Sequence, residues 1–456
     1  MTSFAVSGGG ASGDGLQAVA VDAAGALVAA GYFDSSPAMF GDVSLATTGM
    51  RDAVVWKMSA DGTTLWAVRG GGTSNDKLYG VAVGGAGAVV VVGHFVSSYA
   101  TFGDETVANV GSAGTKDASL WKMSAEGTTL WAVGGGGASS TSLKAVAVDG
   151  AGVVVAAGHS YSSSLTFGAV AMTTAGGADG VLWKLSAEGT TLWAVVGGGA
   201  QYDSLHGMAV DSANAVVATG EFTTSTSPYT ATFGGVVLTN AAVSYSSDAV
   251  VWKIDADGTT LWAVSGGGTN NDELTGVAVD SANAVVAAGY FSSDYATFGG
   301  VQLTTDGSSD TVLWKLNAEG TTLWAVRGGG TGTDHLNCVA VDGTGGVVAG
   351  GYFVGSAATF GSVSLTNAGA SNYAAYAVMW RVSAEGTTLS AVYWDGTSNF
   401  AVPDRLTGVT VDSANAVVAA GSFSRNPATF QGVNLTTAGS TDAVVWKVSN
   451  VVGFTH

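Results

Sequence analysis

The dipeptide Trp-Lys recurs at Trp56, Trp121, Trp183, Trp252, Trp314 and Trp446, with Trp-Arg in register at Trp380. The gaps between copies are 65, 62, 69, 62, 66 and 66 residues. Such a period constrains the fold more than any single motif, because each copy must bury its apolar face against a copy of itself. Seven units account for the 456 residues and leave almost nothing for a second domain.

One unit, read from Leu274, is "LTGVAVDSANAVVAAGYFSSDYATFGGVQLTTDGSSDTVLWKLNAEGTTLWAVRGGG". "GVAVD", "AVVAAGYF", "TVLWKLN" and "TLWAV" read as four short strands, with "SAN" and "AEGT" as turns. No stretch carries a useful 3.6-residue period. Four strands repeated seven times predict an all-β, seven-bladed β-propeller with four antiparallel strands per blade. A blade packs on neighbours at both faces, which explains why "VVWKM" and "TLWAV" do not alternate. Trp66, Trp131, Trp193, Trp262 and Trp324 are expected in the outer gap between blades, and Ser390 replaces them in the sixth copy.

The seventh copy ends "DAVVWKVSN" and "VVGFTH" without a fourth strand, whereas residues 1–7, "MTSFAVS", read as that strand with Phe4 at the Trp position. The head of the chain is therefore expected to complete the last blade and close the ring. The blades span 14–72, 76–136, 141–199, 203–268, 272–330, 334–395 and 404–450 plus 1–7, as one domain.

The stretch "DAVVWKMSADGTTLWAVRGGG" (52–72), leading into "LYGVAVGGAGAVVVVGHF" (78–95), resembles the SBBP (seven-bladed β-propeller) repeat family. The resemblance covers every unit. It implies the propeller fold and, more loosely, an extracellular or cell-surface binding or scaffolding role. Two features depart from the family pattern: the turn usually reads "DSANA", and a segment "ATFGGVxLT" lengthens each blade.

Composition narrows the function classes. With 34 acidic and 15 basic residues the net charge is −19, which disfavours a nucleic-acid partner. Thirteen Trp, sixteen Phe and thirteen Tyr can fill a core despite seventy glycines. Apolar runs such as "AVVVVGHF" are strand-length, too short to span a bilayer as a helix. Cys338 is the single cysteine, so no intrachain disulfide forms. No secretory signal is read at the N-terminus. The chain is expected to be a monomeric ring without a cofactor.

Short turns join strands one to two and three to four on one face. Longer excursions at 34–51, 96–116, 222–247 and 354–375, with the "GGG" crossings, are expected on the other, the better place for a site. Asp22, Asp149, Asp211, Asp280, Asp342 and Asp412 follow the inner strand as turn initiators. Asp52, Asp117, Asp179, Asp248, Asp310 and Asp442 precede the Trp-Lys strand as loop caps. Asp14, Asp76, Asp203, Asp272, Asp334 and Asp404 stand near the channel mouth, either as backbone caps or as a rim for a cation or polar ligand.

Between that last Asp set and the inner-strand Leu the chemistry varies: Gly15, Lys77, Ser142, Ser204, Glu273, His335 and Arg405. This is what an asymmetric binding site, or neutral drift at an exposed position, would leave. The candidate ligand-binding residues are therefore Asp76, Lys77, Asp203, His206, Asp272, Glu273, Asp334, His335, Trp394, Asp404 and Arg405. Trp394 replaces a glycine of the crossing beside Tyr393 and Phe400, a platform for a sugar or peptide or a local packing residue. The third-strand basic residues (Lys57, Lys122, Lys184, Lys253, Lys315, Arg381, Lys447) are read as structural. His94, His159, His206 and His335 fall in different blades at what read as different repeat positions, and neither H-E-x-x-H nor G-x-S-x-G occurs. No catalytic residue and no metal site is assigned, although a cation at the channel mouth remains a candidate. The first functional reading is a non-catalytic binding or scaffold module engaging a glycan, peptide or protein through the long-loop face. The alternatives are a structural or adhesive repeat module and, last, a hydrolase or lyase.

Overall fold

A computed structural model describes all residues except 1–2, 113, 226, 228, 242–244, 367–374, 394–403, 425–427, 431–432 and 449–456. Seven antiparallel sheets follow one another in a ring, and a single one-turn 3-10 segment, Gly85–Gly87, is the helical content of the described residues. The first blade shows the pattern: an inner strand Asp14–Val21, then Leu27–Phe33, Asp52–Met58 and Thr64–Gly71, each paired to the next.

Most sheets are wider than four strands. The "ATFGG" segment, expected as a loop on the long-loop face, is a β-hairpin that joins the outer edge of the preceding blade. Tyr99–Phe102 pairs with Thr64–Gly71 through Thr101↔Gly71, and Glu105–Ala108 pairs with Tyr99–Phe102 in turn. Six sheets gain two strands this way; the sheet from His335–Val341 to Thr388–Tyr393 has four among the described residues. The physical reason lies in alternation. In Tyr99–Phe102, Ala100 and Phe102 are buried while Tyr99 and Thr101 are exposed. Phe102 packs on Trp121 of the next blade at 5.5 Å, which clasps two blades together. In the fourth blade the long insertion also extends the second and third strands, through Thr223↔Ser247 and Thr224↔Ser246.

The ring closes as expected. Phe4–Gly9 pairs with Asp442–Val448 (Phe4↔Lys447, Val6↔Val445), so the last blade takes its fourth strand from the head of the chain. Each of seven apolar clusters is shared between adjoining blades; Val28, Ala30 and Val55 of the first, for example, pack with Leu78, Val91 and Trp121 of the second. The seven third-strand Trp are fully buried.

A recurrent staple ties each blade to the next. Trp66 Nε1 and Lys57 Nζ both donate to the carbonyl of Ala125, at 3.0 and 3.1 Å. Trp193 and Lys184 do the same to Ala256. Asp211 Oδ1 accepts the backbone N–H groups of Ala213 and Ala215, capping its turn, while Oδ2 pairs with buried Lys253 at 2.8 Å. The turn aspartates and third-strand lysines thus form one structural unit.

Candidate functional site: the central channel

In every blade the inner strand carries a one-residue bulge immediately after its Leu. The ladder slips between Leu16 and Ala18, Leu78 and Gly80, Leu143 and Ala145, Leu205 and Gly207, Leu274 and Gly276, Leu336 and Cys338, and Leu406 and Gly408. The second strand accommodates the slip with a glycine. A Cβ on Gly93 would overlap the Lys77 carbonyl oxygen, and one on Gly220 that of Ser204. Bulges re-aim side chains. Here they present Gln17, Tyr79, Lys144, His206, Thr275, Asn337 and Thr407 to a central cavity of about 380 Å³.

The seven bulged residues divide by chemistry. Thr275 Oγ1 donates to the Leu336 carbonyl at 2.6 Å, Asn337 Nδ2 to that of Leu406 at 2.7 Å, and Thr407 Oγ1 to that of Leu16 at 2.8 Å. These three tie neighbouring inner strands together. Gln17 Nε2 donates to its own neighbour, Leu16. Tyr79, Lys144 and His206 are left to give the channel its character.

Tyr79 and Lys144 belong to a basic, aromatic wall. Lys144 Nζ stands 3.7 Å from the centre of the Tyr79 ring, and Lys77 Nζ is 4.7 Å from the rings of both Tyr32 and Tyr79. The Arg51 guanidinium covers the other part of Tyr32 at 4.0 Å and grips Asp34 with two hydrogen bonds of 2.6 and 2.7 Å. Burial, then the positive charges of Lys144, Arg51 and Arg405, lowers the Lys77 ammonium to about 7. Burial and Lys116 lower Lys144 to about 8. Behind this wall His94 Nδ1 meets Ser142 Oγ at 3.2 Å and His159 Nδ1 meets Ser204 Oγ at 2.9 Å, and burial holds both imidazoles neutral.

The adjoining stretch of the wall is acidic. His206 Nε2 lies 3.6 Å from Glu221 Oε1 and 3.3 Å from Glu273 Oε1. Burial opposes charge on His206, but the Glu273 and Glu221 carboxylates outweigh it and raise its pKa. Tyr290 donates to Glu273 Oε2 at 2.8 Å and stacks on the His335 ring at 3.6 Å. His335 in turn meets Ser309 Oγ through Nε2 at 3.0 Å and the Tyr352 hydroxyl through Nδ1 at 3.1 Å.

The sequence-chosen residues therefore separate into two groups. Lys77, His206, Glu273, His335 and Arg405 belong to the channel or the shell around it. Asp76, Asp203, Asp272, Asp334 and Asp404 are buried; the first four cap the blade crossings, and Asp404 accepts the N–H of Ser424. Asp203, for example, accepts the N–H of Gly199 at 2.6 Å and of Thr223 at 3.0 Å. Asp272 does the same for Gly268 and Ser292. Trp394 lies outside the described residues.

Two sets of channel residues escaped the sequence reading. One is the bulged set apart from His206, which was already among the candidates. The other is the second-strand residue after the glycine: Tyr32, His94, His159, Glu221, Tyr290, Tyr352 and Ser422. His94 pairs with Lys77, His159 with Ser142 and Glu221 with Ser204, so the two histidines do not occupy different repeat positions but one and the same. Aligning the copies on "GYF", "GHF", "GHS" and "GEF" would have exposed this.

No family model matches the chain. Over 336 residues it is 25% identical to the regulatory protein FlaEY of Caulobacter vibrioides, a match covering 68% of this chain and 34% of FlaEY. The chain thus spans about a third of that relative's length. Among solved structures it is similar to the WD40 β-propeller domain of Doa1, at 10% identity and a TM-score of 0.47, over 96% of this chain and 95% of that one. It is also similar to a luciferin-regenerating enzyme, at 9% identity and a TM-score of 0.35, over 88% of this chain and 100% of that one. At such values the fold assignment rests on the chain's own seven sheets.

Proposed function

We propose that this propeller is a non-catalytic binding module of SBBP-repeat type whose channel mouth engages an acidic segment of a partner protein. The observation that carries the reading is the pair Lys77 and Lys144, held against Tyr79 in a chain of net charge −19. Among the described residues neither lysine has a carboxylate within salt-bridge distance. Desolvated cations are costly in a structural role alone; Glu273 offsets the Lys144 charge only from beyond ion-pair distance, and a carboxylate ligand would relieve the rest of that cost. The repeated "DAVVWK…GTTLWAV" frame supports the family reading, and likeness to a regulatory protein agrees with binding rather than turnover. Ser142, Ser204 and Ser309, the serine hydroxyls that meet imidazoles, are 2%, 1% and 3% exposed and so poorly placed as nucleophiles.

Fluorescence anisotropy with a labelled glutamate-rich peptide tests the reading. Saturable binding that Lys144→Glu weakens at least tenfold, with a lysine-rich peptide inert, is the expected result; equal binding by the variant would refute it.

One observation favours a structural or adhesive module as the second reading. Leu65, Leu130, Leu192, Leu261, Leu323 and Leu389 recur at one fourth-strand position and are each about half exposed, a ring of apolar contacts around the rim. Ligand-free self-association abolished by paired Leu→Ser changes in this ring would support it.

A further inference from the structure

We infer that His206, Glu221 and Glu273 form a binding site for one divalent transition-metal ion of zinc size, suspended in the wall of the channel. The three side chains come from three strands of two adjoining blades: Asp203–Val210, Val216–Thr224 and Asp272–Val279. One ligand atom from each lies within 4.8 Å of the other two.

The spacing is that of metal ligands. Zinc binds imidazole nitrogen and carboxylate oxygen at about 2.0–2.2 Å, so neighbouring corners of its tetrahedron stand about 3.3–3.6 Å apart. His206 Nε2 stands 3.3 and 3.6 Å from the two carboxylate oxygens. Yet this nitrogen is buried and makes no hydrogen bond. The two carboxylate oxygens converge on His206 Nε2 within ion-pair distance but outside hydrogen-bond geometry, as ligands around a common centre would.

The surroundings fit as well. Ligating carboxylates are commonly oriented by a second hydrogen bond, and the Tyr290 hydroxyl supplies one to Glu273 Oε2 at 2.8 Å. Two buried glutamates facing each other carry a charge that a dication neutralises. An imidazole ligand selects against calcium and magnesium, which take oxygen donors. Three protein ligands leave a fourth position, and His206 lines the same cavity as Lys144. The bulge after Leu205 is what brings His206 into this set, so the site has no counterpart in the other six blades, where the bulged residues are Gln, Tyr, Lys, Thr, Asn and Thr.

The test uses the full chain, stripped with chelator and titrated with Zn²⁺ by calorimetry and with Co²⁺ by absorption. One ion per chain is expected, with the intense visible bands of tetrahedral cobalt, displaced by zinc. His206→Ala and Glu273→Gln should abolish binding, and Tyr290→Phe should weaken it about 10- to 100-fold. Glu105→Gln, a change at an exposed hairpin, should leave it intact. Circular dichroism confirms folding, and the wild-type cobalt spectrum and stoichiometry read the site even where a variant fails to fold. Absence of binding by the wild-type chain, or binding that survives His206→Ala, would overturn the inference. The acidic-peptide reading rests on Lys77 and Lys144 of the neighbouring inner strands and is read separately, by anisotropy on the metal-free chain, so the failure of one is distinguishable from the failure of the other.

Discussion

Phe4 lies opposite Lys447 in the ladder that joins the first strand of the chain to the last, and its ring fills the space above Gly62 in the neighbouring blade's turn. Trp66 stands over Gly127, and Trp131 over Gly189, in the same way. Phe4 therefore substitutes for the fourth-strand Trp at the seam. Without residues 1–7 the strand Asp442–Val448 becomes an unpaired edge. The truncated chain should melt at least about 5 °C lower, as loss of several kcal/mol implies, and should self-associate. Scanning calorimetry and light scattering read both effects, and an unchanged, monomeric melt would refute the seam.

A second expectation concerns the inter-blade staple. Asp211 pairs with Lys253, whose side chain is only 4% exposed. Asp211→Ala leaves that ammonium buried without its partner and should cost about 3–5 kcal/mol. Burial works against ionisation of Asp211, but the Lys253 hydrogen bond and the capped N–H groups prevail and lower its pKa. Stability from the pair is thus present above the ordinary carboxylate value and lost as pH falls through the folded one. At pH 7 a denaturant midpoint matching the wild type would show that the pair contributes nothing.

The period, the ring and the seam were legible in the sequence because each leaves a mark at long range: a recurring Trp-Lys, and a missing strand at one end matched by a spare at the other. The hairpins were not. "ATFGG" offers three or four alternating residues, and its pairing partner lies in the preceding copy, so nothing local distinguishes it from a loop. The channel was missed for a different reason. A bulge shifts register by one residue without changing composition, so Tyr79 and Lys144 read as ordinary strand positions beside their Leu, and His206 stood out only as a histidine. The crossing aspartates misled in the opposite sense, since a carboxylate capping backbone N–H groups and one facing a ligand look identical in sequence.

The crossing aspartates, together with the loop caps Asp117 and Asp248, set the pH dependence. Burial raises Asp203 to about 8, Asp248 and Asp334 to about 7, and Asp76, Asp117 and Asp272 to about 6, from an ordinary 3.8. A carboxyl that holds its proton more tightly when folded stabilises the fold at low pH, and this is lost as pH climbs from 3.8 to the raised value. Buried His159 and His335, lowered to about 3 and about 4, act oppositely, but only below their ordinary 6.5. Lys77 and Lys144, lowered to about 7 and about 8, oppose the aspartates only above those values. The melting temperature should therefore fall by a few °C between pH 6.5 and 8. Asp203→Asn should flatten that slope, by up to about 1.4 kcal/mol per pH unit. A melt that rises across this window would contradict the raised values.

Lys77 also gives ligand binding a pH signature. Only its charged form attracts a carboxylate, and burial brings its titration to about 7. Affinity for the acidic peptide should drop between pH 6 and 8.5, and Lys77→Arg, which stays charged, should remove most of the drop. Anisotropy titrations across that range decide the matter; a flat wild-type profile would exclude Lys77 from the site.

The channel's shape depends on the seven second-strand glycines, and the sharpest test is a methyl group. At Gly220 an added Cβ would overlap the Ser204 carbonyl oxygen, a rigid backbone atom in the strand that carries the bulge. Gly220→Ala must either flatten that bulge, withdrawing His206 from Glu273, or force the two inner strands apart. Both outcomes should cost at least about 2 kcal/mol. Gly150 has open space around its Cβ position and an unexceptional backbone, so Gly150→Ala should be neutral or slightly stabilising, by about 0.4–1 kcal/mol. Chemical denaturation compares the two. Equal stability would mean that the bulge yields freely, and that the placement of the channel side chains is a property of the residues rather than of the backbone beneath them.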